Sequence, residues 1–586
     1  MKGELIMDFN YTSEKNVLTL LSLMKAYGVK KVVVSPGATN VTFAGSLQAD
    51  SYFTLYSSVD ERSAAYIACG LAAETGEPVA LSCTGATASR NYIPGLTEAF
   101  YRKLPVLAVT STQHPGRIGS YTPQVIDRTQ QLKDMVVYSA QAMLPHTPED
   151  EWALNVELNK AFTALTKNGG GPVHINLMTT YSKNFTVKEL PVQRIIKHIG
   201  YSDSKPELKA RRIGIKVGSH TAWSDELRSK AERFCELYGA VVFCEHISNY
   251  RGKYRVSPSL ITAQEQHKPS CVDVDLEIYL GYVTGYGNDL RSKEVWRVNP
   301  DGEIRDKTHK TTYVFQMEEA DFFQAYIDMA EKADSEHEFL DLCRKECHRA
   351  AAKIPEIPFS NAWIAQHTAM KIPEGSVLHL GILNTVRTWN FFDIPDSVLC
   401  YANTGGFGID GDISSLVGAS LAHPDKLYFG VVGDLAFFYD MNVLGNRHFG
   451  RNIRLMLINN GRGTEFRNYN HLAAGFGEDA DPYMAAAGHF GRQSRDLVKH
   501  YAKDLGFEYL SADNKETYLE NVEHFLVPEL TSRPVLFEVF TDSKDESEAL
   551  KMLCNIETDM KGAAKKIVKN VLGEKGTAAI KGVLKK

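Results

Sequence analysis

The chain has 586 residues, of which 44% are hydrophobic and 23% charged, with a formal net charge of −6. This composition excludes collagen-like, disordered and disulfide-scaffold classes, and at roughly 150 residues per domain the length allows about four domains. The acidic balance excludes a global attraction to nucleic acid or an anionic membrane, and no stretch reaches the roughly 18 uninterrupted apolar residues of a membrane span.

Met1 to Asn10 carries Lys2, Glu4 and Asp8 among few apolar residues, so no secretion leader is expected. From Asn16 to about Tyr181, helical patterns such as Leu18 to Tyr27 alternate with β-branched runs at Lys31–Ser35, Val79–Ser82, Val106–Thr110 and Val173–Leu177. Strand runs separated by helices require crossover connections and hence a parallel sheet. Leu190 to Pro206 is charged and aperiodic and reads as a linker. A second, smaller Rossmann-like unit follows, with strands predicted at Ile213–Val217, Ala240–Cys244, Leu276–Leu280 and Val295–Val298. Glu331 to Pro358 reads as a solvent-facing helix. Its Cys343 and Cys347, with His348 beside them, have no second pair at metal-ligand spacing and read as thiols on an ordinary helix. The nine scattered cysteines, odd in number, suit free thiols in a reducing cytoplasm. A third α/β unit runs from about Ser360 to Thr541. Beyond it, Lys561 to Lys586 holds eight lysines against one acid, Glu574, with three interrupting glycines; it reads as a solvated terminus rather than a membrane-binding helix.

The third unit carries the clearest chemistry. Leu427 to Val432 is a continuous apolar run that delivers Gly433-Asp434-Leu435 at its carboxyl end, where ligands of open α/β sheets bind. A second buried strand, Ile453 to Ile458, delivers Asn459-Asn460-Gly461-Arg462-Gly463, with 23 residues between Leu435 and Asn459. A carboxylate, an amide oxygen and a backbone carbonyl at adjacent strand ends form a hard oxygen set that suits Mg²⁺, and a helix starting after Gly433 turns its N–H groups toward phosphates.

This arrangement resembles the diphosphate-binding motif of thiamine-diphosphate (ThDP) enzymes, with leucine at position 435 in place of the usual glycine. The resemblance implies Asp434, Asn460 and the Arg462 carbonyl as Mg²⁺ ligands, and Gly433 and Leu435 as cofactor contacts. ThDP enzymes also need an acid that protonates the aminopyrimidine ring. Val59 to Arg62 and the small-residue helix that follows make Glu61 that candidate, with Thr84 and Asn91 as further cofactor contacts. Among the branches of the superfamily, the chain from about Ser13 to Phe540 most resembles the menaquinone-pathway synthases that add a decarboxylated 2-oxoglutarate unit to isochorismate. The carrying motifs are Ser35 to Gly37, Val59 to Arg62, Asn403 to Gly411, and Gly433 to Leu435 through Asn460. Gly408 and Ile409 match residues that hold the cofactor in its bent conformation.

Departures from that family fall in the substrate pocket. Thr39 and Thr404 stand where the family has arginine, Tyr286-Gly287 replaces a Lys-Arg pair, Gln124 and Arg387 match retained positions, and Glu465 beside Phe466 adds an acid. With three basic positions gone, isochorismate is not the expected acceptor, because bidentate arginine is the usual grip on carboxylates. His114 and His471 read as surface histidines before proton shuttles.

The expectation is an α/β protein of three parallel-sheet domains: a pyrimidine domain over 1–188, a central Rossmann-like domain over 189–357, a diphosphate domain over 358–545, and a basic helical tail over 546–586. The expected function is ThDP- and Mg²⁺-dependent decarboxylation of a 2-oxoacid, with transfer of the acyl carbanion equivalent to an acceptor or its release as aldehyde. The alternatives are the authentic menaquinone-pathway reaction with relocated basic groups, or a degenerate structural or regulatory paralogue. Expected partners are small molecules and further copies of the chain in a homodimer or homotetramer, in the cytoplasm, with no nucleic acid and no membrane span. The resemblance sets Glu61 of one chain against Asp434 of another, and the small-residue helix Ser63 to Ala73 fits such a contact.

Overall fold

The computed structural model describes residues 10–285, 289–330, 337–488 and 494–558. Tyr286-Gly287, most of the amino-terminal ten residues, the beginning of the Glu331 to Pro358 segment and the lysine-rich carboxyl terminus lie outside the described residues. The chain forms two compact units, Met1–Ser204 with Asp301–Gln316, and Lys205–Pro300 with Met317–Lys586.

In the first unit β1 (Lys31–Val34), β2 (Thr54–Ser57), β3 (Val79–Cys83), β4 (Val106–Thr112), β5 (Tyr138–Ala142) and β6 (Val173–Met178) form a parallel sheet in the order β2-β1-β3-β4-β6-β5. Successive residues feed opposite faces, as a period of two requires. Val32, Ala80, Leu107 and Val109 join one core with the helix Lys15–Ala26, whereas Val33, Leu81, Val106 and Ala108 join another with the helix Glu61–Thr75. Covering both faces explains why the inner strands β3, β4 and β6 are buried at every position and do not alternate. The segment that reads as a linker is a correction in its middle. Lys197–Ile199 forms β7, which pairs in parallel with the later strand Thr311–Phe315; three residues are too few to carry a visible pattern.

In the second unit β8 (Ile213–Val217), β9 (Val241–Cys244), β10 (Arg255–Val256), β11 (Asp273–Leu280) and β12 (Arg291–Val298) lie in the order β10-β9-β8-β11-β12, the doubly wound arrangement expected of a Rossmann-like domain. Thr311–Phe315, β13, belongs to the first unit. The helix Glu338–Ala351 buries Phe339, Leu340, Cys343 and Ala350, so it is amphipathic and not simply solvent-facing. The last sheet comprises β14 (Val377–Leu380), β15 (Leu399–Tyr401), β16 (Tyr428–Gly433), β17 (Ile453–Asn459), β18 (Glu508–Ala512) and β19 (Val535–Phe540). Its order, β15-β14-β16-β17-β19-β18, repeats strand for strand the order of the first sheet. In both sheets the chain reverses direction of growth between the first and third strands, and the loops leaving those strands open a crevice for ligands.

Candidate active site

In the first unit the crevice lies at the ends of β1 and β3. The hydroxyls of Thr39 and Thr84 hydrogen-bond to each other, and both residues are buried. Gly37 approaches so closely that a Cβ there would lie 2.6 Å from the Cβ of Thr84. Asn40, which sequence reasoning missed, ties the strand ends together. Its amide donates to the Ser35 carbonyl at 3.2 Å, and its oxygen accepts from the Ser82 hydroxyl at 2.6 Å and the Ser111 hydroxyl at 3.3 Å.

Glu61 is the first residue of the helix Glu61–Thr75. Asp60 caps that helix, accepting from the Arg62 N–H at 3.0 Å and the Ser63 hydroxyl at 2.9 Å. The helix leaves the end of β2, so Glu61 is half-buried at the carboxyl edge of the sheet, close enough for its charge to act on Cys83 and Tyr92. Burial is the larger effect on Cys83, whose thiol is pushed up to about 12. Asn91 closes the short helix Thr87–Arg90 and is exposed. Gln124 is also exposed, at a φ of +63°, and its carbonyl lies 2.7 Å from where a Cβ on Gly85 would sit, so glycine is required there. Beneath that loop Arg128 is buried and donates to the Ser111 carbonyl at 2.8 Å, while its Nε and Nη1 have no hydrogen-bond partner among the described residues. Burial lowers its guanidinium to about 10.

In the second unit, register pairs Gly433 with Ile458, which sets Asp434 beside the Asn459-Asn460 turn. One Asp434 oxygen accepts from the Leu435 N–H at 2.7 Å. The other accepts from three successive N–H groups, of Asn460 at 3.0 Å, Gly461 at 2.5 Å and Arg462 at 3.1 Å. Gly461, at a φ of +75°, provides the left-handed turn that aims those amides at one point. Burial nevertheless wins over the donors and pushes the Asp434 carboxyl up to about 6. Asn460 Oδ1 accepts from the Thr464 hydroxyl at 2.7 Å, a positioning contact missed in the sequence because a threonine four residues downstream carries no motif.

These residues border a cavity of about 110 Å³ whose walls include Ile409, Leu435, Asn460, Thr464, Glu465 and Phe466. A buried carboxylate, an amide oxygen and a turn of backbone carbonyls are a donor set that fits a hard divalent ion. The raised Asp434 carboxyl is a charge for which a cation supplies the missing compensation. No group of three or more His, Cys, Asp and Glu side chains able to hold a metal occurs among the described residues. The implied set has one such member, the other two donors being an amide and a carbonyl.

Around this core, Gly408 accepts weakly from the Asn403 amide at 3.5 Å, and Thr404 is buried and does not border the cavity. Arg387 and Glu465 form an ion pair, with side chains 25% and 18% exposed. His114 and His471 each use Nδ1 to accept a backbone N–H two residues on, at 3.0 Å, which makes them local caps. The nine cysteines are free.

Residues 18–132 match the family described as thiamine pyrophosphate enzyme, N-terminal TPP binding domain. Together with the two matching sheets and the Asp434–Asn460 cluster, this defines a ThDP-dependent enzyme of the decarboxylase and carboligase class. The chain is 31% identical over 574 residues to the 2-succinyl-5-enolpyruvyl-6-hydroxy-3-cyclohexene-1-carboxylate synthase of Bacteroides fragilis, covering 92% of this chain and 98% of that protein. The synthase of Phocaeicola vulgatus is 30% identical with the same coverage, and that of Flavobacterium johnsoniae is 26% identical over 565 residues, covering 91% and 97%. The chain belongs to this synthase family. No helix among the described residues is long and apolar enough to cross a membrane.

Proposed function

We propose that the chain decarboxylates a 2-oxoacid and transfers the acyl unit to an acceptor, with ThDP and Mg²⁺ bound, in the reaction its relatives are named for: formation of 2-succinyl-5-enolpyruvyl-6-hydroxy-3-cyclohexene-1-carboxylate from 2-oxoglutarate and isochorismate. The observation that carries this reading is end-to-end similarity, 92% of this chain against 98% of the Bacteroides fragilis synthase. It favours the synthase reaction over the changed acceptor that the lost basic positions suggested. Arg128 is consistent with it as a relocated cation beside the Gly85 and Gln124 loop.

Bound ThDP supplies a carbon nucleophile and an electron sink. The Glu61 carboxyl holds the proton exchanged with the aminopyrimidine ring. Asp434, Asn460 Oδ1 and the Arg462 carbonyl hold Mg²⁺, the three N–H groups on Asp434 fix its carboxylate, and Ile409 and Leu435 keep water from the cavity. The pyrimidine role falls to 1–188, the diphosphate role to 358–545, and the active form is a homodimer or homotetramer in the cytoplasm.

A second reading, a neutral or cationic acceptor, rests on the Arg387–Glu465 pair, in which the acid that lines the cavity offsets the charge of Arg387. Product analysis separates the two. With 2-oxoglutarate and isochorismate the synthase reading expects the named product. Release of CO₂ from 2-oxoglutarate or another 2-oxoacid, with no isochorismate adduct, transfers the conclusion to the second reading.

A further inference from the structure

The second unit contains a cleft of about 600 Å³ that none of the cofactor residues border. Its walls carry Arg251, Lys253 and Arg255 from the segment that enters β10, and Arg344 and His348 from the helix Glu338–Ala351. Arg344 and His348 are four residues apart and therefore share one helix face. Four lysine and arginine side chains meet two carboxylates, Asp393 and Asp396, so the cleft has a formal excess of two positive charges without His348.

The pairing within it is uneven. Arg255 engages both acids, Asp396 at 2.9 Å and Asp393 at 3.5 Å. Arg251 donates to the main-chain carbonyls of Val398 at 3.0 Å, His246 at 3.3 Å and Tyr250 at 3.4 Å. Arg344 donates to the Lys253 carbonyl. Neither Arg251 nor Arg344 has a carboxylate partner among the described residues. Carbonyls fix the guanidinium planes but leave their charge uncompensated, and desolvating such charges costs free energy unless an anion arrives. Burial, reinforced by the neighbouring Arg255 charge, accordingly lowers Arg251 to about 10. Val256 and Ile394, both buried, and the exposed Met370 give the cleft an apolar side.

We propose that this cleft binds the phosphate group of a small phosphorylated metabolite, with Arg251, Arg344 and Lys253 as donors and the organic part against Met370 and Ile394. A phosphate monoester carries close to two negative charges near neutral pH, which matches the excess, whereas a monocarboxylate leaves one cation uncompensated. The volume is within the roughly 300–1,000 Å³ range of small-molecule sites.

The test is calorimetric titration of the full-length protein saturated with Mg²⁺ and ThDP, so that the cofactor site is closed to added phosphate. The probes are AMP, glucose 6-phosphate and inorganic phosphate. The expected result is saturable binding of at least one ester, one per chain and tighter than inorganic phosphate. Arg344→Gln should weaken it by roughly ten- to a hundredfold, the loss of one charge-assisted hydrogen bond. Arg251 is largely buried, so Arg251→Gln is accompanied by Lys253→Gln on the exposed wall, which should weaken the same ester without changing ThDP affinity. Absence of saturable binding by either ester at millimolar concentration, unchanged affinity in both Arg344→Gln and Lys253→Gln, or binding of inorganic phosphate as tight as that of the esters each overturns the proposal.

Discussion

Asp434 concentrates the site's electrostatics in one side chain. Its carboxylate is buried and held by four N–H donors, yet burial keeps the carboxyl near 6. Replacing either it or Asn460 by alanine removes an oxygen from the proposed Mg²⁺ shell, and ThDP binding measured by calorimetry should lose its Mg²⁺ dependence; undiminished Mg²⁺-dependent affinity in both variants refutes the ligand set. Glu61→Gln fills the same space but cannot relay a proton. Cofactor should still bind, while exchange of the thiazolium C2 proton, followed by NMR, should slow by orders of magnitude. Asp412 behaves differently. It is buried, accepts from the Ile382 N–H at 3.3 Å, and its carboxyl is pushed up to about 7, chiefly by burial. A folded-state value above the unfolded one means that its stabilising contribution is complete below about pH 4 and is lost as pH rises through about 7. Asp412→Asn retains the acceptor without the charge. Its stability relative to the parent, from urea midpoints of the cofactor-free protein, should therefore improve between pH 5 and pH 8, and a difference that does not vary with pH refutes the account.

The helix Glu61–Thr75 illustrates what single elements decide. Its alanines suggest a face for a partner chain, but Ala64, Ala65, Ala68 and Ala72 are buried within their own unit. A Cβ on Gly95 of the helix Ile93–Tyr101 would lie 2.4 Å from that of Ala65. Gly95→Ala should thus destabilise the protein by about 1–3 kcal/mol through overpacking, read as a lower urea midpoint at unchanged slope; an unaltered midpoint removes this contact as a constraint. The face left over presents Tyr66 and Ile67, 48% and 42% exposed. The strands at Lys31, Val79, Val106, Val173, Ile213 and Ile453 are legible in the sequence because helices cover both sides and make them continuous apolar runs. Thr54–Ser57 and Leu399–Tyr401 are not, since edge strands this short mix polar and apolar residues. Asp434 and Asn460 are legible because spacing after a strand fixes them, whereas Glu61 is reached only through the family resemblance. The roles of Asn40, Thr464 and Arg128 are not, because their partners are distant in sequence or are backbone groups that leave no pattern.

At the scale of the whole molecule, the proposed homodimer would set the Glu61 unit of one chain against the Asp434 unit of another, giving two equivalent sites. Co-refolding an inactive Glu61→Gln chain with an inactive Asp434→Ala chain should recover activity, because in a heterodimer one of the two sites receives both intact halves. Sedimentation would establish the mass independently. A fully active monomer, or verified heterodimers with no activity, would falsify the shared site.

The repeated strand order has a consequence for how such a chain diversifies. Two sheets share one strand order, and in the proposed function one crevice serves proton exchange while the other holds a charged diphosphate. Thr39 and Glu465 lie on short 3-10 helices, Ala38–Asn40 and Thr464–Arg467, and Thr404 in a turn, all beyond strand ends and outside the apolar sheet layers. Selection on the acceptor can therefore act through a handful of codons, with the cofactor chemistry inherited unchanged.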